Sequence, residues 1–175
     1  MKHLKATILL CTLFFALGCE ETSGIRTIRL AHGLDINHSV HRAMVKMGED
    51  LDSVSKGKLR IEIYPNQQLG TEREILELIQ LGSLDMTKVS VATLENFAPK
   101  TRILGLPYLF ESREHAFEVL DGPIGQSLLD NAEQFRLKGL GYYDAGFRSF
   151  YTEKEAVTAP DDLKGLKIRV MESIT

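Results

Sequence analysis

Cysteine is nearly absent from this 175-residue chain, which contains only Cys11 and Cys19. Both fall within the first nineteen residues. Residues 20–175 can therefore form no internal disulfide, and they offer neither a thiol nucleophile nor a cysteine zinc site.

An excess of charge of one sign is also missing. The chain has 21 Lys and Arg against 24 Asp and Glu, mixed throughout, for a formal net charge of -3. Without a basic block to hold phosphate backbones, nucleic acid is not expected as a partner. The 43% hydrophobic and 26% charged residues are typical of a globular protein with one sizeable core.

Enzyme motifs are absent as well. The sequence has no GxSxG, GxxxxGK or HExxH pattern. Gly139 and Gly141 lack the third glycine of a dinucleotide-binding turn. No cofactor is therefore predicted, and an enzyme on this chain would need a nucleophile or an acid and base pair that the sequence does not display.

The amino terminus has the pattern of a secretory leader. Lys2 and Lys5 precede an apolar run over residues 6–17, which is shorter than the roughly 20 residues of a membrane-spanning helix. The end of the run, ALGC, resembles a bacterial lipobox, so Cys19 is a candidate for lipidation, with plain cleavage nearby as the alternative. We predict a signal peptide over residues 1–19. Cleavage before Cys19 would remove Lys2 and Lys5 and would change the net charge to -5.

Periodicity in the first half predicts alternating strands and helices. Strands are predicted at residues 27–31, 59–64 and 84–91. One helix is expected to open at Asn37 or Ser39 and close near Gly57, and a second to follow the capping box of Thr71 and Glu74 and end near Gly82. The order βαβαβ favours a parallel sheet with helices on both faces, in which ligands bind beyond the carboxyl ends of the strands.

The second half predicts further elements. Helices are expected at residues 113–120 and 124–135, a helical turn at 160–163, and strands at 103–106, 137–143, 147–152 and 166–171. Arg148 and Arg169 lie on the last two strands among apolar neighbours. Each arginine is either an exposed group on a half-buried strand or a receptor for a carboxylate, which a guanidinium matches with two parallel hydrogen bonds. Periodicity leaves both interpretations open.

Three histidines cluster near the first helix: His32, His38 and His41. A metal site would need further converging ligands, so we interpret the last two as polar-face residues and predict no metal. His32 closely follows the first strand, where the fold would expose a cleft. Glu72, with Arg73 and Glu74, is interpreted as part of a solvated first helical turn supported by the helix dipole.

Several blocks carry a resemblance to a known family. The blocks are, in order, LAHGLDINHSVHRA, YPNQQLGTEREILELIQLGSLDMTKVS, ILGLPYLFESREHAFEVLDGPIGQ, GFRSFYT and APDDLKGLKIRVMES. They resemble consecutive blocks of the DctP-type substrate-binding proteins of tripartite ATP-independent periplasmic (TRAP) transporters. The resemblance runs in order from about residue 25 to residue 173.

The resemblance implies an α/β, periplasmic-binding-protein-like fold of two lobes that enclose the ligand. Lobe I would span residues 25–145, and residues 146–175 would begin lobe II. The arginine that pairs with the ligand carboxylate in the family matches Arg169, and an assisting arginine matches Arg148. Ser90 and His32 would face the cleft from lobe I.

The function implied is that of an extracytoplasmic receptor. It would bind a small organic acid in the periplasm or cell envelope and deliver it to a membrane permease driven by an ion gradient, touching the membrane itself only through a lipid on Cys19. Dicarboxylates, keto acids, hydroxy acids and sugar acids all remain candidates. The alternative is a ligand sensor that reports to a signalling partner.

Family members continue well past residue 175, so most of lobe II is not in this sequence. We therefore expect the chain as given to bind its ligand weakly or not at all. Sub-micromolar binding in titration calorimetry against organic acids would contradict this expectation.

Overall fold

The computed structural model describes residues 24–144, 146, 151–153 and 156–170. The predicted leader with Cys19, and Arg148 with most of its predicted strand, lie outside the described residues. The strands are β1 Arg26–Ala31, β2 Leu59–Tyr64 and β3 Met86–Thr87. The α-helices are α1 Ser39–Val54, α2 Glu72–Gln80, α3 Val91–Leu94, α4 Arg113–Leu120 and α5 Pro123–Asn131. Three 3₁₀ helices cover Pro99–Gly105, Ala132–Phe135 and Pro160–Leu163.

The three strands form one parallel sheet in the order β2-β1-β3. All six residues of β1 pair with β2, from Arg26 opposite Leu59 to Ala31 opposite Tyr64. Only the last two residues of β1 pair with β3. The βαβαβ order and the parallel sheet predicted from periodicity are therefore confirmed.

Helices cover both faces of this sheet because successive side chains of a strand point to opposite sides. Leu30 packs with Val40 and Met44 of α1 on one face. Ala31, the next residue, packs with Ile75 of α2 on the other face. All of these side chains are at most 7% exposed, so the carboxyl end of β1 is the centre of the core.

Capping hydrogen bonds between residues close in sequence mark where the first two helices begin. The capping box is confirmed: the Thr71 hydroxyl accepts a hydrogen bond from the amide of Glu74, and the Glu74 carboxylate accepts one from the amide of Thr71 at 2.7 Å. The first helix begins instead after His38, whose Nδ1 accepts from the Val40 amide at 3.2 Å. The predicted caps at Asn37 or Ser39 were therefore wrong by one residue.

A second apolar cluster packs against α2. Leu76 of α2 is buried with Ala98, Ala132 and Leu137. The Gln80 side chain also donates to the backbone carbonyl oxygen of Phe135 at 2.9 Å. The predicted helix over residues 124–135 is observed as α5 followed by a 3₁₀ turn.

Several predicted strands are not strands in the structure. The strand predicted at 84–91 keeps only Met86–Thr87, residues 103–106 belong largely to a 3₁₀ helix, and residues 137–143 and 166–170 form no strand. Alternating apolar residues predict a strand with one buried face, but a strand also needs a neighbouring strand for its hydrogen bonds. At residues 166–170 the alternating Leu166, Ile168 and Val170 are exposed. Among the described residues, only β1, β2 and β3 pair in this way.

Within the part of the chain that the structure describes, no helix has both the length and the apolar character needed to cross a bilayer.

Candidate functional site

The carboxyl ends of the three parallel strands meet at one edge of the sheet. The amide of His32, directly after β1, donates to the Tyr64 carbonyl oxygen at the end of β2 at 3.0 Å. The His32 carbonyl oxygen in turn accepts from the Gln67 amide at 3.2 Å. The Thr87 hydroxyl of β3 donates to the Ala31 carbonyl oxygen at 2.8 Å. These bonds hold together the segments that follow the three strands, at the edge where ligands bind in such sheets.

A polar cluster lies at this edge around the Glu72 carboxylate, the first residue of α2. Its Oε2 accepts hydrogen bonds from the Ser90 hydroxyl at 2.5 Å, the Ser90 amide at 3.1 Å and the Thr93 hydroxyl at 3.0 Å. Its Oε1 lies 3.4 Å from the Lys88 ammonium. The Glu72 and Lys88 side chains are 21% and 14% exposed, so this ion pair is largely shielded from solvent. We call these four residues the Glu72 cluster.

The cluster keeps the Glu72 carboxylate charged. Burial raises the pKa of Glu72, but the hydrogen bonds from Ser90, the nearby charge of Lys88 and the hydrogen bond from Thr93 together outweigh burial. The net result is a pKa lowered from the ordinary 4.5. A charged carboxylate therefore lies at the binding edge at neutral pH.

The interpretation of Glu72 as a solvated first-turn residue was wrong. The interpretation is correct for the two neighbouring residues, because Arg73 forms an exposed ion pair with Glu77 and Glu74 caps the helix. Glu72 instead contacts residues 16 to 21 positions further on. The predicted strand order contained the relevant signal, because the start of α2 and the end of β3 lie at the same edge of a parallel sheet.

His32 occupies the other part of this edge and is fully buried, at 0% exposure. Its Nδ1 accepts a hydrogen bond from the Leu34 amide at 3.1 Å, and its Nε2 lies 3.0 Å from Nδ1 of His41. Burial lowers the pKa of His32, and the charges of His41, Lys88 and His38 lower it further. His32 is therefore held as a neutral imidazole.

The four predicted site residues do not all lie at this edge of the sheet in the described part of the structure. It places His32 and Ser90 at the same edge of the sheet, with the Ser90 hydroxyl engaged by Glu72. Ser90 lies at the start of the short helix α3 instead of on the predicted strand. Arg169 is exposed, and Arg148 lies outside the described residues. Their roles in ligand binding stay predictions.

Within the described ranges, no three or more His, Cys, Asp or Glu side chains come together in a way that could hold a metal ion.

Comparison with known proteins identifies the class of protein that has this edge. A profile of the DctP family, described as bacterial extracellular solute-binding protein, family 7, matches residues 30–175. The chain therefore belongs to the DctP family of bacterial extracellular solute-binding proteins. This finding confirms the resemblance described from the sequence blocks.

Individual relatives agree with the family and with the fold. A TRAP periplasmic solute-binding protein from a Bradyrhizobium species, solved in complex with α/β-D-galacturonate, is 42% identical with a TM-score of 0.81, over 85% of this chain and 50% of that chain. One from Anaerococcus prevotii with bound α/β-D-glucuronate is 36% identical with a TM-score of 0.80, over 85% and 48%. The 2,3-diketo-L-gulonate-binding periplasmic protein YiaO of Escherichia coli is 32% identical over 92% of this chain and 50% of its own length.

The match covers only part of the length of each relative. The chain spans about half the length, or less, of the curated relatives it matches. The matched part corresponds to about half of each solved relative. These relatives are binding proteins by name, and the family is extracytoplasmic.

Proposed function

We propose that this protein is the extracytoplasmic receptor of a TRAP-type transporter and binds a small carboxylate-containing organic acid. The observation that carries the proposal is the half-buried Glu72 cluster beside His32, at the carboxyl ends of three parallel strands, in a chain of the DctP family. The ligand would be passed to the membrane permease subunits. We place the protein in the periplasm or cell envelope, with Cys19 as the residue that would carry a lipid anchor.

We further propose that sugar acids are the preferred class of ligand. Oε1 of Glu72 is contacted by Lys88, and a carboxylate oxygen can accept more than one hydrogen bond. Glu72 therefore has capacity to accept a hydrogen bond from a sugar hydroxyl. Its negative charge would disfavour a second carboxylate at the same place. The relatives named above bind galacturonate, glucuronate and 2,3-diketo-L-gulonate, all of which have several hydroxyl or keto oxygens beside the carboxylate.

In this proposal the ligand lies with its carboxylate towards the arginines and its hydroxyls towards lobe I. Arg169 is the principal partner of the carboxylate, and Arg148 assists. A guanidinium stays charged at any working pH and provides two parallel donors. Ser90 and His32 contribute to the lobe I side of the site through the edge described above.

Titration of this chain with D-galacturonate, followed by amide chemical shifts, tests the proposal. We expect weak binding, with a Kd on the order of 1 mM, or about -4 kcal/mol. The shifts should concentrate at residues 32–34 and 87–93 and near Arg169. Arg169→Ala should weaken binding at least several-fold. Lys167→Ala, which removes a neighbouring exposed cation, is the matched control. Equal affinity of Arg169→Ala and the unaltered chain, or shifts that lie only outside this edge, would contradict the proposal.

A further inference from the structure

The histidines at the amino end of α1 share one unusual property. Each uses Nδ1 as a hydrogen-bond acceptor: His32 from the Leu34 amide at 3.1 Å, His38 from the Val40 amide at 3.2 Å, and His41 from Nε2 of His32 at 3.0 Å. The rings of His32 and His41 meet edge to face, with centroids 5.2 Å apart. We call His32, His38 and His41 the histidine cluster.

These bonds determine the protonation state of every ring. A neutral imidazole has one donor nitrogen and one acceptor nitrogen, whereas a protonated ring has two donors. Because Nδ1 of His32 accepts, its proton lies on Nε2 and is donated to Nδ1 of His41. His41 and His38 therefore carry their own protons on Nε2. All three rings must be neutral for the observed hydrogen bonds to exist together.

We infer that the histidine cluster is an acid-sensitive latch, whose hydrogen bonds hold residues 32–41, between the end of β1 and the start of α1, in place at neutral pH and release this segment when the rings become protonated. In each ring the added proton can go only to Nδ1, the nitrogen that already accepts a hydrogen bond. Protonation therefore places two donors face to face and breaks the bond.

The surrounding charges also disfavour a positive charge on the histidine cluster, with one exception. His32 is near the Lys88 ammonium, which follows β3, as well as the other two histidines on α1. The amino end of a helix also disfavours positive charge. Asp35, in the loop between β1 and α1, would favour a charge on His41, but Asp35 is exposed and already accepts from the Asn37 amide and side chain. Once protonated, the rings would repel one another and Lys88.

The direction of the pH effect follows from the neutral state. Burial and neighbouring charge lower the pKa of His32 from 6.5, so the unfolded chain binds this proton more readily than the folded chain. The stabilisation is present above pH 6.5 and is lost as the pH falls through the lowered pKa. The affected pH range lies below 6.5, where histidine is the common titrating side chain.

The segment that would be released is part of the binding edge. The carbonyl oxygens of His32 and Leu34 accept from the amides of Gln67 and Asn66 at 3.2 and 3.0 Å, and they thereby join the segments after β1 and β2. Opening the latch would loosen this junction. That acid also weakens ligand binding rests on the proposed function, but the latch itself does not.

Nuclear magnetic resonance on the chain without ligand tests the latch. Histidine ring resonances and amide exchange are followed from about pH 7.5 to about pH 5, across the titration range of histidine. Protection of the Leu34 amide, corrected for intrinsic exchange, should fall about tenfold for each pH unit below the lowered pKa of His32, and protection of the Val40 amide should fall in the same titration. The amide of Ile75, bonded to the Thr71 carbonyl oxygen in α2, should keep its protection. Unchanged protection of Leu34 and Val40 at the lower pH would overturn the inference.

Asparagine variants separate titration from simple loss of a contact. In His38→Asn with His41→Asn, each amide oxygen can still accept a hydrogen bond but cannot be protonated in this range. The double variant should lose the acid response of Val40. His115→Asn, which alters the described histidine on α4 outside the cluster, should respond as the unaltered chain does. A double variant that loses Val40 protection in acid as the unaltered chain does would overturn the latch, and the wild-type titration decides the matter if the variants do not fold.

A final arm repeats the D-galacturonate titration at both pH values. An acid response of the amides together with galacturonate shifts that lie only outside the binding edge would contradict the proposed function and leave the latch supported. Galacturonate binding with no acid response of the amides would support the proposed function and overturn the latch.

Discussion

Replacing Glu72 by glutamine tests whether the charge at the binding edge stabilises the fold. The three hydrogen bonds to Oε2 are charge-assisted in the wild type and would be neutral in Glu72→Gln. Hydrogen bonds to charged groups contribute about 1.5–3 kcal/mol, against about 0.5–1.5 kcal/mol for neutral ones. The difference is about 1 kcal/mol per bond, but the three bonds share one oxygen and are not additive. The lost attraction to Lys88 adds to the cost, whereas burying a neutral amide instead of a charge reduces it.

We therefore expect Glu72→Gln to lower the free energy of unfolding by about 2 kcal/mol at neutral pH. Urea unfolding followed by circular dichroism measures this difference. Glu77→Gln is the matched control, because Glu77 lies on the same helix and pairs with Arg73 with both side chains at least half exposed. An exposed ion pair of this kind contributes about 0–1 kcal/mol. A loss for Glu72→Gln no larger than for the control would refute the reasoning.

The pH dependence provides a second check on the same charge. The pKa of Glu72 is lowered in the folded chain, so its stabilisation is present above the ordinary value of 4.5 and is lost as the pH falls through the lowered pKa. The difference between wild type and Glu72→Gln should thus be constant from about pH 7 to about pH 5 and shrink at lower pH. A difference that stays the same at about pH 3 would show that the carboxylate charge is not its cause.

Three further changes probe the core, a cap and a close helix contact, each by urea unfolding. Met44 is 2% exposed, so Met44→Ala should lower the free energy of unfolding by about 2–5 kcal/mol. Val45 is 39% exposed, so Val45→Ala should change it by no more than about 0.5 kcal/mol. Similar losses for the two variants would contradict the assigned core. Thr71→Ala should cost about 0.5–2 kcal/mol through loss of the capping box, and no loss would argue against that cap. A Cβ on Gly125 would lie 1.8 Å from the Leu120 carbonyl oxygen, so Gly125→Ala should cost several kcal/mol or prevent folding, whereas Gly141→Ala meets open space and should be nearly neutral.

The first half of the fold was predictable because its signals are local. Alternation over residues 59–64 gave the bounds of β2, and the hydroxyl of Thr71 three residues before Glu74 gave the start of α2. Alternating strands and helices then required parallel pairing, because a helix that crosses over the sheet returns the chain in the same direction. Where the same alternation recurred at residues 137–143 and 166–170, the prediction was wrong, since strands also depend on a partner far away in sequence.

The candidate site was predictable only in part. The position of His32 directly after β1 follows from the strand prediction and the general rule for parallel sheets. Glu72 was missed because a carboxylate in a first helical turn is ordinarily solvated and supported by the helix dipole. Its burial against Ser90 and Thr93 depends on how α2 and α3 meet, and no pattern within either segment specifies that contact.

From its residues alone, this chain already determined the capping box of Thr71 and Glu74, its parallel βαβαβ order and its membership of the DctP family, since those depend on neighbours in sequence or on blocks of residues in order. Tertiary structure alone decided which polar groups share a buried environment: Glu72 with Lys88 and Ser90, and His32 with His41. Desolvation and charge pairing, which determine their protonation states, arise between residues that the folded chain brings within a few ångströms of each other.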